Sequence, residues 1–264
     1  MSMQCPKCLA EQPDGNAICD RCGIVFAKYW KYHPRPGEAP GVSRRLASPV
    51  RRASRASTHS RQRRPPPDNE PRALFLPAPV AHDPLASWAK TVLLAGLALW
   101  GLRLIGASVE SNAAGASVLH LVNLPFHEAG HIFFRPFGDL MASLGGTLGQ
   151  LLMPLIATLV LLLKTRDPFG ASVGLWWFGQ NFLDIAPYIN DARAGQLPLL
   201  GGNFGHSSPY GFHDWEYILT ETGLLHLDHG LAQASHLLGS LIMLLALAWG
   251  AVLLYREFSV PNKY

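Results

Sequence analysis

Charge is scarce in this chain. Only 15% of its 264 residues are charged, against 48% hydrophobic, which is too few charges for an ordinary soluble protein of this size. Cysteine is missing after Cys22, so thiol chemistry is confined to the N-terminal end. Acidic residues are missing between Gly41 and Pro67, where eight arginines fall. An apolar h-region is missing from the polar, cysteine-rich start, so no secretory signal peptide is expected. Two long stretches, Leu140 to Leu163 and Leu237 to Tyr255, lack charge altogether. These absences point away from a water-soluble enzyme and toward a membrane.

Inside one apolar run stands His127-Glu128-Ala129-Gly130-His131, the pattern H-E-x-x-H. On a helix, residues four apart share a face. Two imidazoles so placed can bind one zinc, with the intervening Glu128 beside it as general base. Imidazoles and carboxylates are costly in an apolar segment and usually mark function there.

The N-terminus carries a second metal pattern. Cys5-Pro6-Lys7-Cys8 and Cys19-Asp20-Arg21-Cys22 are two C-x-x-C knuckles separated by ten residues. Four thiolates at this spacing suit a tetrahedral structural zinc, the bland alternative being two disulfides or free thiols. The first 28 or so residues resemble the short zinc ribbons found at the N-termini of many bacterial proteins. Residues 1–30 are therefore expected to fold on their metal, and thiolates require a reducing compartment, the cytosol. Residues 31–85 are rich in Pro, Arg, Ser and Ala and are expected to be a disordered linker. Its arginines obey the positive-inside rule. They are not interleaved with stacking aromatics, so a protein partner for this end is expected ahead of nucleic acid.

Residues 86–264 form the expected membrane domain, in which five hydrophobic runs follow one another. They span about Ser87 to Val109, Ala113 to Phe134, Leu140 to Leu163, Phe169 to Ile189 and Leu237 to Tyr255, each near the roughly 20 residues that cross a bilayer. The fold class expected is thus an all-α polytopic membrane protein of about five transmembrane helices with a small N-terminal zinc ribbon. It would sit in the cell's inner or plasma membrane with a cytosolic N-terminus. Five crossings place the C-terminus outside, together with Lys164, Arg166, Arg256 and Lys263, against the charge rule. Gly145 and Gly149 give a G-x-x-x-G spacing at which a neighbouring helix can approach closely.

A zinc with an open coordination position needs a third protein ligand. Short joints make the second and fourth runs parallel neighbours. On depth along the helix, Asp184 lies level with the H-E-x-x-H and is preferred, with Asp191 about 10 Å nearer the surface as second choice.

These features, over about residues 117 to 195, resemble the site-2 protease family of intramembrane zinc metalloproteases. In that family a segment N-x-x-P-x-x-x-L-D-G supplies the third ligand from its Asp. Here the segment reads Asn181 to Asp191 with Pro187 inside, one residue short between Pro and Asp, which favours Asp191. The resemblance implies zinc ligation by His127 and His131 and activation of a water at the zinc by Glu128. It also implies peptide-bond hydrolysis in a membrane-embedded substrate protein. Asn181 would hydrogen-bond the substrate or the developing oxyanion. Two other readings stand beside it: a ribbon-bearing membrane adaptor with a silent metal site, and a metal transporter or sensor.

The polar loop from Asn190 to about His229 holds His206, His213, Asp214, His226 and His229. Its histidines are expected to be ordinary surface groups, with Trp215 and Tyr217 suiting a membrane surface. If the loop does contribute as lid, gate or ligand, His213 and Asp214 are the pair to do so. His120 is expected to be a buried, hydrogen-bonded residue, and His236 to cap the last helix.

Overall fold

The computed structural model describes residues 2–22, 24–32, 71–78, 83–200 and 202–260. The chain divides into two compact units, Met1–Arg63 and Arg64–Tyr264.

In the first unit, β1 (Ser2–Gln4) and β2 (Glu11–Pro13) pair antiparallel with Met3 opposite Gln12. The Cys5–Cys8 knuckle turns between them. Leu9, in the left-handed region at φ 58, lets its N–H donate to the Cys5 carbonyl at 2.9 Å. The second knuckle closes through the Cys19 N–H, which donates to the Ile24 carbonyl at 3.0 Å. A short helix α1 (Phe26–Tyr32) follows. Cys5, Cys19 and Phe26 form the small core.

The second unit is helical. A single turn, α2 (Pro71–Phe75), lies within the stretch expected to be linker. The Phe75 carbonyl accepts from the Trp249 indole N–H at 2.9 Å, and the two rings lie 5.8 Å apart. Most of the remaining linker expectation falls on residues outside those described. The main helices are α3 (Pro84–Ile105), α4 (Val118–Phe134), α5 (Asp139–Leu159, ending in a π turn over Val160–Lys164), α6 (Pro168–Asn190), the short α7 (Asp214–Glu221) and α8 (Asp228–Phe258). Two begin with the same device. Asp83 and Asp167 accept N–H bonds from Leu85 and Gly170, and proline occupies the first helical position, where its missing N–H costs nothing.

Helix α6 is the axis of the bundle, with Trp176, Gln180, Asn181 and Leu183 all at 2% exposure or less. Helix α8 runs antiparallel to it, the Ser235 hydroxyl donating to the Phe182 carbonyl at 2.8 Å. Helix α3 is antiparallel to α8: Lys90, at its start, pairs with Glu257, at the end of α8, at 3.0 Å. Helix α5 is antiparallel to both α4 and α6. Across α4 and α6, His120 meets Asp184, Asn123 meets Gln180 and Trp177, and Phe126 meets Trp177, an order that two parallel neighbours, as expected from the short joints, would not give.

Of the five runs expected to cross a membrane, three form helices long and apolar enough to do so: Pro84–Ile105, Asp139–Lys164 and Leu225–Phe258. Their outward side chains include Leu99 at 74% exposure and Leu245 at 66%, an apolar surface that water would reject and lipid accepts. Helix α4 starts at Val118, five residues later than expected, and its 17 residues fall short of a span. Helix α6 is long but sheathed by its neighbours and lined with buried polar groups. Helix α8 begins nine residues before Leu237, so His236 lies inside it and caps nothing.

Candidate metal centre

Helix α4 carries the H-E-x-x-H, and α5 lies directly against it. A Cβ on Gly130 would collide with the Gly145 carbonyl oxygen, and one on Gly149 would sit 2.9 Å from the Gly130 Cα. The G-x-x-x-G face thus receives α4 itself, at the glycine inside the motif. Gly146 opens the next position: a Cβ there would lie 2.6 Å from both the His127 and the His131 Nε2 atoms. The two imidazoles therefore converge over a hollow that only glycine leaves free.

The tautomers follow from their partners. His131 Nδ1 lies 2.8 Å from the Ala142 carbonyl oxygen, which can only accept, so Nδ1 carries the proton. Gln150 donates its amide to the Asp184 carboxylate at 2.8 Å and turns its oxygen to His127 Nδ1 at 3.1 Å. A carboxylate also only accepts, so the amide orientation is set and His127 Nδ1 is likewise the donor. Both Nε2 lone pairs then face the same point, in the arrangement by which metal-binding histidines are usually oriented.

The carboxylate that meets them belongs to Asp214, at the start of α7. Its Oδ2 is 3.3 Å from His127 Nε2 and 3.4 Å from His131 Nε2. Three acceptors converging on one point repel unless a cation sits among them. Two atoms each about 2.1 Å from a tetrahedral zinc lie about 3.4 Å apart, so the donor set and its spacing fit such an ion. Burial pushes the Asp214 carboxyl up, but when a proton on an imidazole Nε2 takes the cation's place, its hydrogen bond to Asp214 outweighs this and holds the carboxyl below the usual carboxylate range. Tyr188 secures it by accepting the Asp214 backbone N–H at 3.0 Å and turning its hydroxyl to Oδ2 at 3.3 Å. Glu128 completes a cluster with His127 and His131 whose ligand atoms lie within 4.8 Å of one another. Its carboxylate makes no hydrogen bond among the described residues.

Both aspartates expected as ligands lie behind this centre. Asp184, with a fully buried side chain, accepts from Gln150, from Asn123 at 2.9 Å and from His120 at 3.1 Å. Its partners on α4 precede the motif midpoint by six to nine residues, an offset of roughly 9–13 Å along the axis. The level match expected between Asp184 and the motif is therefore absent. Asp191 caps the loop after α6, accepting the N–H groups of Gln196 and Leu197 at 2.9 and 2.8 Å, with His213 Nε2 at 3.5 Å. Burial raises its carboxyl, but His213 and those two amides win and hold it below the usual range. His213 is 1% exposed and serves as N-cap of α7, accepting the Glu216 N–H. Asp184 thus orients His127 through Gln150, while Asp191 lies 3.5 Å from His213 Nε2, which makes no hydrogen bond among the described residues. Asn181 is fully buried and donates to the Trp177 carbonyl on its own helix; it does not line the cavity. His120 does, with 39% of its side chain exposed.

The centre opens into a cavity of about 680 Å³ that runs beside α4 and is walled by Leu197–Leu200, Phe212 and Asp214. Gln150 could have been noticed as the one long polar side chain in a charge-free run. Tyr188 and Gly146 carry no comparable signal.

In the first unit, Cys5 Sγ lies 3.7 Å from Cys22 Sγ, and Cys8 Sγ lies 3.7 Å from Cys19 Sγ. All four sulfurs are within 4.8 Å of one another, and none is in a disulfide. Thiolates about 2.3 Å from a tetrahedral zinc stand about 3.8 Å apart, so this cluster can hold such an ion.

Compared with family models, curated proteins and solved structures, the chain finds no match.

Proposed function

We propose that this chain is a membrane-embedded zinc peptidase, with a structural zinc on Cys5, Cys8, Cys19 and Cys22 and a catalytic zinc on His127, His131 and Asp214. The observation that carries this reading is the convergence of two oriented Nε2 atoms and one ionised carboxylate beside an unengaged Glu128. The zinc supplies Lewis acidity at the scissile carbonyl and makes water acidic enough to deprotonate near neutral pH. Glu128 takes the proton of the attacking water and returns it to the departing amine. Gln150 and the Ala142 carbonyl keep both imidazoles in the tautomer that binds metal. Tyr188 lines the cavity, and its single hydroxyl proton, given to Asp214 at rest, can turn instead to a developing oxyanion.

The orientation follows from charge. Lys90, Lys164, Arg166 and Arg256 gather at the end of the bundle where α3 and α6 begin and α8 finishes, and the arginine-rich segment precedes α3. Taking α3, α5, α6 and α8 as four crossings, with α4 as a shorter helix beside α6, puts all of these cations on the cytosolic side. The C-terminal end returns there too. Arg103, Arg135 and Arg193 fall at the other end, with the metal centre. Four crossings therefore satisfy the positive-inside rule that five violate.

Replacing Glu128 by Gln in the purified full-length protein tests the reading. Two zincs per chain should remain and peptide hydrolysis should fall by at least about 10²-fold. Hydrolysis at the wild-type rate would reject it.

A further inference from the structure

The cavity-lining residues of α4 and its C-cap are His120, Leu124, His127, Glu128, His131 and Arg135. At 3.6 residues per turn these fall within an arc of roughly 100°. The cavity is thus a groove laid along the whole helix, with the metal-binding pair partway. Its two ends differ chemically. At one end stands His120, its Nδ1 held at 3.1 Å by the buried Asp184 carboxylate. Its other ring nitrogen is left for the groove. At the opposite end stands Arg135, whose guanidinium makes no ion pair among the described residues. The other charged groups lining the groove, Glu128, Asp214 and Asp184, are acids.

We infer, building on the peptidase reading, that the groove binds its substrate as an extended strand along α4, with a substrate carboxylate on Arg135. From His120 to Arg135 the helix rises roughly 22 Å, the length of six to seven extended residues at about 3.4 Å each. Measured from the midpoint of the His127–His131 pair, Arg135 is roughly 9 Å away and His120 roughly 13 Å. The carboxylate therefore belongs about three residues from the scissile bond, and a backbone group about four residues away on the other side meets His120. An arginine fork pairs a carboxylate with two parallel N–H bonds. Elsewhere in this groove an anion would face like charge.

The test uses full-length Glu128→Gln protein in detergent and fluorescein-labelled decapeptides, read by anisotropy. The peptides share an apolar centre and carry Glu, Gln or Lys three residues to one side. A fourth ends in a free carboxylate at that place, and a fifth ends there as an amide. Glu should bind at least about tenfold more tightly than Lys, and Arg135→Glu should reverse the order. Preference for the free C-terminus over the internal Glu identifies a terminal carboxylate as the source; the converse identifies a side chain. His120→Leu should weaken only peptides long enough to reach that end. Equal binding of Glu and Lys peptides, or an order unmoved by Arg135→Glu, overturns the inference. Binding needs no turnover, so this result is independent of wild-type hydrolysis, whose absence would instead remove the peptidase reading.

Discussion

His127 and Asp214 are 87 positions apart in the chain, yet the Nε2 of one and the Oδ2 of the other are 3.3 Å apart. One belongs to a helix of the bundle and the other to the first turn of an eight-residue helix beyond a loop. The two imidazoles and this carboxylate meet only when that loop is folded back.

This relationship separates two aspartates by their effect on metal content. Asp214→Ala should lower the zinc count from two per chain to one, because two imidazoles alone leave the site incomplete. Asp184→Asn should keep two zincs but bind the second about 10–100-fold more weakly, since it loosens only the Gln150–His127 contact. Elemental analysis after graded dialysis against a chelator distinguishes them, and the reverse order would restore Asp184 as ligand.

Gly146→Ala tests the hollow under the imidazoles. The new methyl would press on the ends of two side chains at 2.6 Å, so the rings swing aside and the backbone stays. The zinc count should fall to one while the melting temperature changes little. Gly130→Ala meets the Gly145 backbone instead and should destabilise by about 1–3 kcal/mol, as overpacking does. Thermal unfolding in detergent separates the two variants.

Asp191 makes stability depend on pH in a definite direction. Its folded value is held below the ordinary 3.8, so its contribution is complete above that value and is lost as pH falls through the lower, folded one. Wild type should exceed Asp191→Asn by about 1 kcal/mol at pH 6. The gap should close progressively below pH 3.8. Paired melting curves between pH 6 and pH 3 check this, and a gap that widens with acid would contradict it.

The four-cysteine cluster should behave as a folding switch of its own. In the full-length protein, Cys8→Ser should expose the N-terminal unit to limited proteolysis, because so small a unit depends on its metal. Peptide mapping should then show cleavage within residues 2–32 while the helices from Pro84 onward stay protected. Protection of both regions would show that the first unit folds without its metal.

The parts of the centre visible in the chain are those whose chemistry lies in one short segment. His127, Glu128 and His131 need only helical spacing to meet, and each cysteine knuckle needs only its own turn. Gly145 and Gly149 are legible for the same reason. The third metal-facing group escapes because depth along a helix says nothing about loops. Asp184 and Asp191 lie on or next to α6 and could be ranked by rise per residue. Asp214 reaches the site by a return path that no period encodes. What marked it was its place beside His213, the pair expected to act if the loop contributes at all. Of the five expected crossings, three are helices long and apolar enough to span; α4 is shorter and α6 is largely sheathed by other helices, and hydropathy does not distinguish contact with protein from contact with lipid.

Helix α7 has a consequence for how the protein opens. Its first residue, Asp214, lines the cavity beside Phe212, so on the proposed reading the third ligand is carried by a short element outside the main bundle. If a metal is held there as proposed, displacing α7 would remove Asp214 from it. On the proposed peptidase reading, a chain held open would lack a completed centre and could not cut what it has not yet enclosed.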